Sequence, residues 1–125
     1  MLTQAQRGAY ASRMSADCLF CSIIAGDIPS DRVLENDDVV AFRDIAPKAD
    51  VHVLVVPRTH ASDVAALAAA APDQLAAMAL AAQEIADAEC GGQYKWVFNT
   101  GEKAGQTVFH AHGHVLGGDL SGSLV

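Results

Sequence analysis

Positive charge and aromatic side chains are both scarce in this chain. Eight lysines and arginines stand against fifteen aspartates and glutamates, for a net charge of −7 over 125 residues, and aromatics make up only 6%. No cluster of cations exists to displace counterions from a long polyanion, so DNA and RNA are excluded as partners. A small nucleotide is not excluded, because histidines and backbone amides can supply positive potential locally. No stretch approaches the eighteen or more strongly apolar residues of a membrane span. The hydrophobic share of 51% is inflated by alanines crowded between Ala61 and Ala88. Residues 1–16 lack the apolar core of a secretory signal and carry scattered Arg, Gln and Ser, which predicts a flexible extension on a cytoplasmic protein. Three cysteines cannot make a secreted disulfide framework. The remaining length suffices for one core and not two, so residues 17–125 read as a single domain.

Histidine stands out from this background. Three of the five fall in His110-Ala111-His112-Gly113-His114, and the neighbours Phe109, Val115 and Leu116 favour an extended strand. All three imidazoles then project from one face, ~6.6 Å apart at alternate residues and ~13 Å from His110 to His114. A zinc ion needs each nitrogen at about 2.0–2.1 Å, so neighbours in the row can share an ion and the outer pair cannot. The row predicts separate tasks along an extended ligand, such as linked phosphates or a phosphate with its leaving group. Imidazole suits them, since it can donate, accept or attack near neutral pH. A half-buried strand whose histidines line up by accident would explain one such residue more readily than three.

The rest of the chain supplies a scaffold. Leu19, Phe20, Ile23 and Ile24 follow helical spacing and Gly26-Asp27-Ile28-Pro29 closes the segment, predicting a short helix from Cys18 to Ala25. Arg32 to Glu35 and Val39 to Arg43 are β-rich runs around the polar turn Asn36-Asp37-Asp38, and Val51 to Val56, ended by Pro57, reads as a central strand. Pro72, Leu75, Met78, Ala82 and Ile85 mark one long amphipathic helix ending near Cys90, with a shorter turn before it. Cys90, ahead of Gly91 and Gly92, reads as a small buried residue at the helix stop. Tyr94 to Asn99 and Thr107 to Leu116 are expected as adjacent antiparallel strands. The fold class is α+β: an antiparallel sheet of about five strands with one long and one short helix.

The pair Cys18-Leu19-Phe20-Cys21 could be a redox dithiol or half of a metal site. His60, beyond Val55-Val56-Pro57-Arg58-Thr59, and His110 offer the missing partners. Cys18, Cys21, His60 and His110 would close a four-ligand zinc site whose thiolates neutralise the ion, and such a site holds structure and performs no chemistry. An inert reduced dithiol is the alternative. In the loop Asn99-Thr100-Gly101-Glu102-Lys103-Ala104-Gly105-Gln106-Thr107, glycine allows close backbone approach. Consecutive N–H groups, the Gln106 amide and the Thr107 hydroxyl are expected to form a neutral nest for phosphate oxygens.

Several separated motifs, in order, resemble the histidine triad (HIT) family of nucleotide-binding proteins, in its zinc-bearing Hint branch. They are Phe20 with Ile28-Pro29, Ala41-Phe42-Arg43-Asp44-Ile45, His52-Val53-Leu54-Val55-Val56-Pro57-Arg58-Thr59-His60, and Asn99 through Gly118. The resemblance implies a homodimer whose sheets join across the subunit boundary, with the long helix at the interface. It implies a nucleoside monophosphate site in which Phe20, Ile23, Phe42 and Ile45 enclose the base. Asp44, which has no evident structural partner in the sequence, would accept the ribose hydroxyls, and Asn99, Gly105, Gln106 and Thr107 would hold the phosphate. His112 would attack the α-phosphorus, His114 would contact the phosphate and assist the leaving group, and His52 would complete a cationic surround. It also implies the same zinc quartet.

Three departures from the family pattern bear on specificity. Ala111 and Gly113 are smaller than the bulky apolar residues usual between the histidines, so packing behind them must come from elsewhere. Thr107 stands where serine is common, and the tail 119–125 has no aromatic. The expected activity is hydrolysis of purine nucleoside phosphoramidates or nucleotidyl adducts through a nucleotidyl-histidine. The alternatives are a dinucleoside polyphosphate hydrolase, a non-catalytic nucleotide-binding module, and a hydrolase with catalytic zinc on the histidine row.

Overall fold

The computed structural model describes residues 18–121, so the extension expected over 1–16 and the end of the tail, 122–125, lie outside the described residues. Five strands, β1 (Arg32–Glu35), β2 (Val39–Arg43), β3 (Val51–Pro57), β4 (Lys95–Val97) and β5 (Gly113–Gly117), form one antiparallel sheet in the order β1-β2-β3-β5-β4. The valine-rich run of β3 takes the middle because both its faces are covered. Period-two alternation then sorts side chains into two cores. Val39, Ala41, Val53, Val55 and Val115 pack under Leu67, Met78, Ala82 and Ile85, while Val40, Phe42, Leu54 and Val56 pack under Phe20 and Ile23.

Those covers are α1 (Leu19–Ala25) on one face and α2 (Val64–Ala70) with α3 (Pro72–Glu89) on the other. Cys18 caps α1, its Sγ accepting from the Cys21 N–H, and Gly26 ends it at φ 84°. The sequence predicts two helices and the fold has three. The turn expected before the long helix is α2, capped by the Asp63 carboxylate on the Ala66 N–H. It breaks at Ala71 because a residue before proline is barred from helical backbone angles. Cys90 is the C-cap of α3, half-buried rather than buried, and burial raises its thiol pKa, as expected of an inert cysteine.

The last two strands are shorter than 94–99 and 107–116. Pairing begins only at Gly113, because the Ala111 N–H donates to the Ala61 carbonyl and His110 and His112 lie before the ladder. The side-chain alternation survives nonetheless: Ala111 and Val115 join the helix-packed core, while His110 and His112 meet Phe20 of α1. No described helix is long and apolar enough to cross a membrane.

Candidate active site

Register brings the histidines together. His52 pairs with Leu116 and Leu54 with His114 across β3 and β5, so His52 and His114 are diagonal neighbours on the α1 face, with His52 Nε2 2.9 Å from His114 Nδ1. The hydrogen bonds around them fix where each proton sits. The Lys48 backbone N–H donates to His52 Nδ1 at 2.9 Å, so the His52 proton is on Nε2 and is donated to His114 Nδ1. That leaves His114 with its N–H on Nε2. His112 donates Nδ1–H to the His110 carbonyl at 2.7 Å, which leaves the Nε2 lone pair free. The His112 ring is 8% exposed, edge-on to Phe20 at 4.9 Å and 5.0 Å from the His114 ring.

Burial holds these imidazoles neutral. His114 is pushed down to about 4, chiefly by burial and then by the neighbouring His112 and His52, against a smaller opposing pull from Asp44. His52 is lowered by burial, with Asp44 opposing and Lys48 adding to the shift, and His112 is lowered by burial against its bond to the His110 carbonyl. The expected cationic surround is therefore a set of neutral, directed donors and one free lone pair. Asp44 also differs from expectation, for it does have a structural partner. Its Oδ1 accepts from the Ala46 N–H at 2.7 Å, and its Oδ2 lies 3.5 Å from His52 Nε2.

Two chambers meet at these residues. The larger, about 570 Å³, is walled by Leu19, Phe20, Ile23, Phe42, Ile45 and Leu54, and the smaller, about 310 Å³, by Lys48, His52, Val97, Asn99, Gly105 and Leu116. Asp44, Thr107, His112 and His114 line both. Every residue expected around a nucleotide therefore reaches the cleft except Gln106. Its amide bonds the Ser62 and Val108 carbonyls and the Gly101 N–H, holding the loop from beneath. Three consecutive amides of the expected nest are also engaged within the loop. The N–H groups of Ala104, Gly105 and Gln106 are turned onto the loop's own carbonyls at Gly101 and Glu102, as a one-turn 3₁₀ segment (Glu102–Ala104) requires. Ile45 reaches the large chamber from its rim with its side chain wholly exposed.

Sequence reasoning missed Leu54, Val97 and Lys48. Leu54 has the parity of His52, and Val97 pairs with His114 across β4 and β5, so strand register would have found both. Lys48 lies in an irregular segment where no periodicity speaks.

Beside the cleft, Cys18, Cys21, His60 and His110 form a cluster that could hold a metal ion, their ligand atoms all within 4.8 Å of one another. His110 Nδ1 lies 3.4 Å from both Cys18 Sγ and Cys21 Sγ and 3.1 Å from His60 Nδ1, while His60 Nδ1 lies 3.3 Å from Cys21 Sγ. A tetrahedral ion with bonds of about 2.0–2.1 Å to nitrogen and about 2.3 Å to sulfur sets its donors roughly 3.3–3.7 Å apart, close to this spacing. His110 Nε2–H donates to the Pro57 carbonyl at 2.9 Å, which aims the Nδ1 lone pair into the cluster. The donor set fits. A second group, Asp44 with His52 and His114, also lies within reach of an ion. There the bond from Lys48 keeps the proton on His52 Nε2, the atom that would have to ligate, so this group is a hydrogen-bond chain.

The family model for the HIT domain matches residues 25–120. An uncharacterised HIT-like protein of Synechocystis is 42% identical over 109 residues, spanning 84% of this chain and 93% of that protein. The purine nucleoside phosphoramidase of Escherichia coli is 37% identical over 114 residues, covering 90% and 96%. Among solved structures, a HIT family hydrolase from Clostridium thermocellum superposes with a TM-score of 0.80 at 37% identity, covering 86% of this chain and 96% of that one. With the predicted α+β architecture, the histidine row and the family model all in agreement, this chain belongs to the HIT family of hydrolases.

Proposed function

We propose that this protein hydrolyses purine nucleoside phosphoramidates or related nucleotidyl adducts, releasing the nucleoside monophosphate. The observation that carries the reading is the free Nε2 lone pair of His112, fixed by the His110 carbonyl at the junction of the two chambers. The similarity to a relative named purine nucleoside phosphoramidase supports it. The base stacks between Phe20, Ile23 and Phe42, with Ile45 closing over the rim, and the Oδ2 of Asp44 accepts from the ribose. Asn99, Gly105 and Thr107 border the phosphate, while Gln106 holds their loop in place.

His112 Nε2 attacks the α-phosphorus and the P–N bond breaks. The departing nitrogen takes one proton from solvent and leaves as an amine, giving a nucleotidyl-histidine. His114 presents Nε2–H to the phosphoryl oxygens, and His52 keeps that tautomer in place. Water then attacks phosphorus, the bond to His112 breaks, and one proton returns to solvent. The test is intact-mass spectrometry after rapid mixing with adenosine phosphoramidate. An adenylyl adduct that disappears in His112→Ala, with turnover falling by several orders of magnitude and nucleotide affinity retained, is the expected result. A fully active His112→Ala protein overturns the reading. Turnover of adenosine phosphoramidate with little cleavage of diadenosine polyphosphate separates this activity from that of a dinucleoside polyphosphate hydrolase.

The quartet of Cys18, Cys21, His60 and His110 is proposed to hold structural zinc, whose role is to tie α1 to the sheet. Metal analysis should find close to one zinc per chain. The exposed edge of β4 and the exposed Leu80 of α3 suit a homodimer with a continuous sheet, for which light scattering should return twice the 13.0 kDa of the chain.

A further inference from the structure

The smaller chamber carries a charge that the hydrolytic mechanism leaves unused. Lys48 lines it and, among the described residues, its ammonium enters no ion pair. The residue is close enough to the reacting groups for its charge to add to the lowering of the His52 pKa. Its backbone is fixed by the bond to His52 Nδ1, so the side chain starts from a rigid point beside the histidines. The one carboxylate of the chamber, Asp44, is already engaged by the Ala46 N–H and by His52. The Asn99 amide donates to the Ala104 carbonyl, and Ala46, Val97 and Leu116 supply apolar wall.

We infer that Lys48 makes this chamber a subsite for a leaving group with an anionic end, an amine bearing a carboxylate or a phosphate on a short aliphatic spacer. The inference rests on the phosphoramidase reading. With the nucleoside in the large chamber, the group expelled from phosphorus on the far side of His112 and His114 enters the small one. Val97 and Leu116 accept its methylenes. An anion two or three carbons from the scissile nitrogen meets Lys48, the one lysine or arginine that lines the chamber among the described residues. The free energy comes from pairing an exposed charge that forms no ion pair without the substrate. Lys48 is a specificity residue, since it touches the departing amine and not the reacting phosphorus.

The test compares adenosine 5′-phosphoramidates whose nitrogen carries β-alanine, β-alaninamide or 2-aminoethyl phosphate. The first two share a shape and differ in charge, and the third replaces carboxylate by phosphate. The readout is the ratio of kcat/KM for each anionic substrate to that for the amide, which cancels general effects of a substitution on folding. The ratio should exceed about fivefold for the wild type at low salt, fall toward unity as salt screens the pair, collapse in Lys48→Gln and invert in Lys48→Glu. Whichever anion gives the larger ratio identifies the source. Phosphoramidates cleaved at equal rates whatever their charge overturn the inference and leave the activity standing, as does a ratio that survives in both Lys48 variants. Failure to cleave any of them, or unsubstituted adenosine phosphoramidate, overturns the phosphoramidase reading and this inference with it.

Discussion

Gly113 shows what one residue decides. A Cβ there would lie 2.7 Å from Trp96 Cε2 and 2.9 Å from Phe98 Cζ, inside the contact limit, so the space between two histidines is filled from the neighbouring strand. The small residues at 111 and 113 signal in the sequence that packing comes from elsewhere. Which residue supplies it is legible only once Trp96 is known to pair with Val115. Gly113→Val should cost about 1–3 kcal/mol of stability by urea denaturation, and much less in a Phe98→Ala, Trp96→Leu background that opens the space. Gln106 teaches the opposite lesson. Its type and position in a glycine-containing loop suggest a phosphate ligand, but its amide is claimed by the carbonyls of Ser62, 44 residues away in sequence, and Val108, within the same loop, and only the fold brings the first within reach. Gln106→Ala leaves those carbonyls and the Gly101 N–H without partners. Stability should fall by about 1–3 kcal/mol, a loss that a surface ligand to phosphate would not cause.

At the scale of elements, strand positions were written in β-rich and apolar runs bounded by turn residues and Pro57, the shared face of the histidines in their alternation, and α3 in its proline start and apolar stripe. The break between α2 and α3 was written too, in Pro72, though the alanine-rich stretch before it reads equally as turn. What composition does not state is how a seven-residue helix stays on a sheet, since so short a helix has little stability of its own. The zinc proposed for Cys18, Cys21, His60 and His110 would answer this, because these residues come from the start of α1, the exit of β3 and the approach to β5. Phe20 and Ile23, walls of the large chamber, ride on the same helix. On the proposed zinc reading, Cys18→Ser, or treatment with a strong chelator, should therefore lower Tm by several degrees. It should raise KM for adenosine phosphoramidate more than it lowers kcat. A chelator that abolishes kcat at once with Tm unchanged would instead point to catalytic metal.

Across the whole molecule, folding draws titratable imidazoles into a sheet face where charge is costly, and stability should record it. His114 titrates at about 4 in the fold and His52 is lowered as well, both through burial. In the unfolded chain both return to the ordinary histidine value near 6.5. Between about pH 6.5 and 4 the unfolded state therefore binds more protons than the folded one, and stability rises with pH across that window. The contribution is fully present above pH 7 and drains away on acidification, well before the mostly exposed carboxylates protonate. Urea midpoints should thus be flat from pH 7 to 8 and drop steadily from 6.5 to 4.5. His114→Asn should reduce the slope over that range, because it removes one of the rings that burial pushes down to about 4. A midpoint independent of pH down to 5 would mean that these rings are solvated in solution, and the tautomers assigned to His52 and His114, on which the presentation of His114 Nε2–H to the phosphoryl oxygens depends, would fall with it.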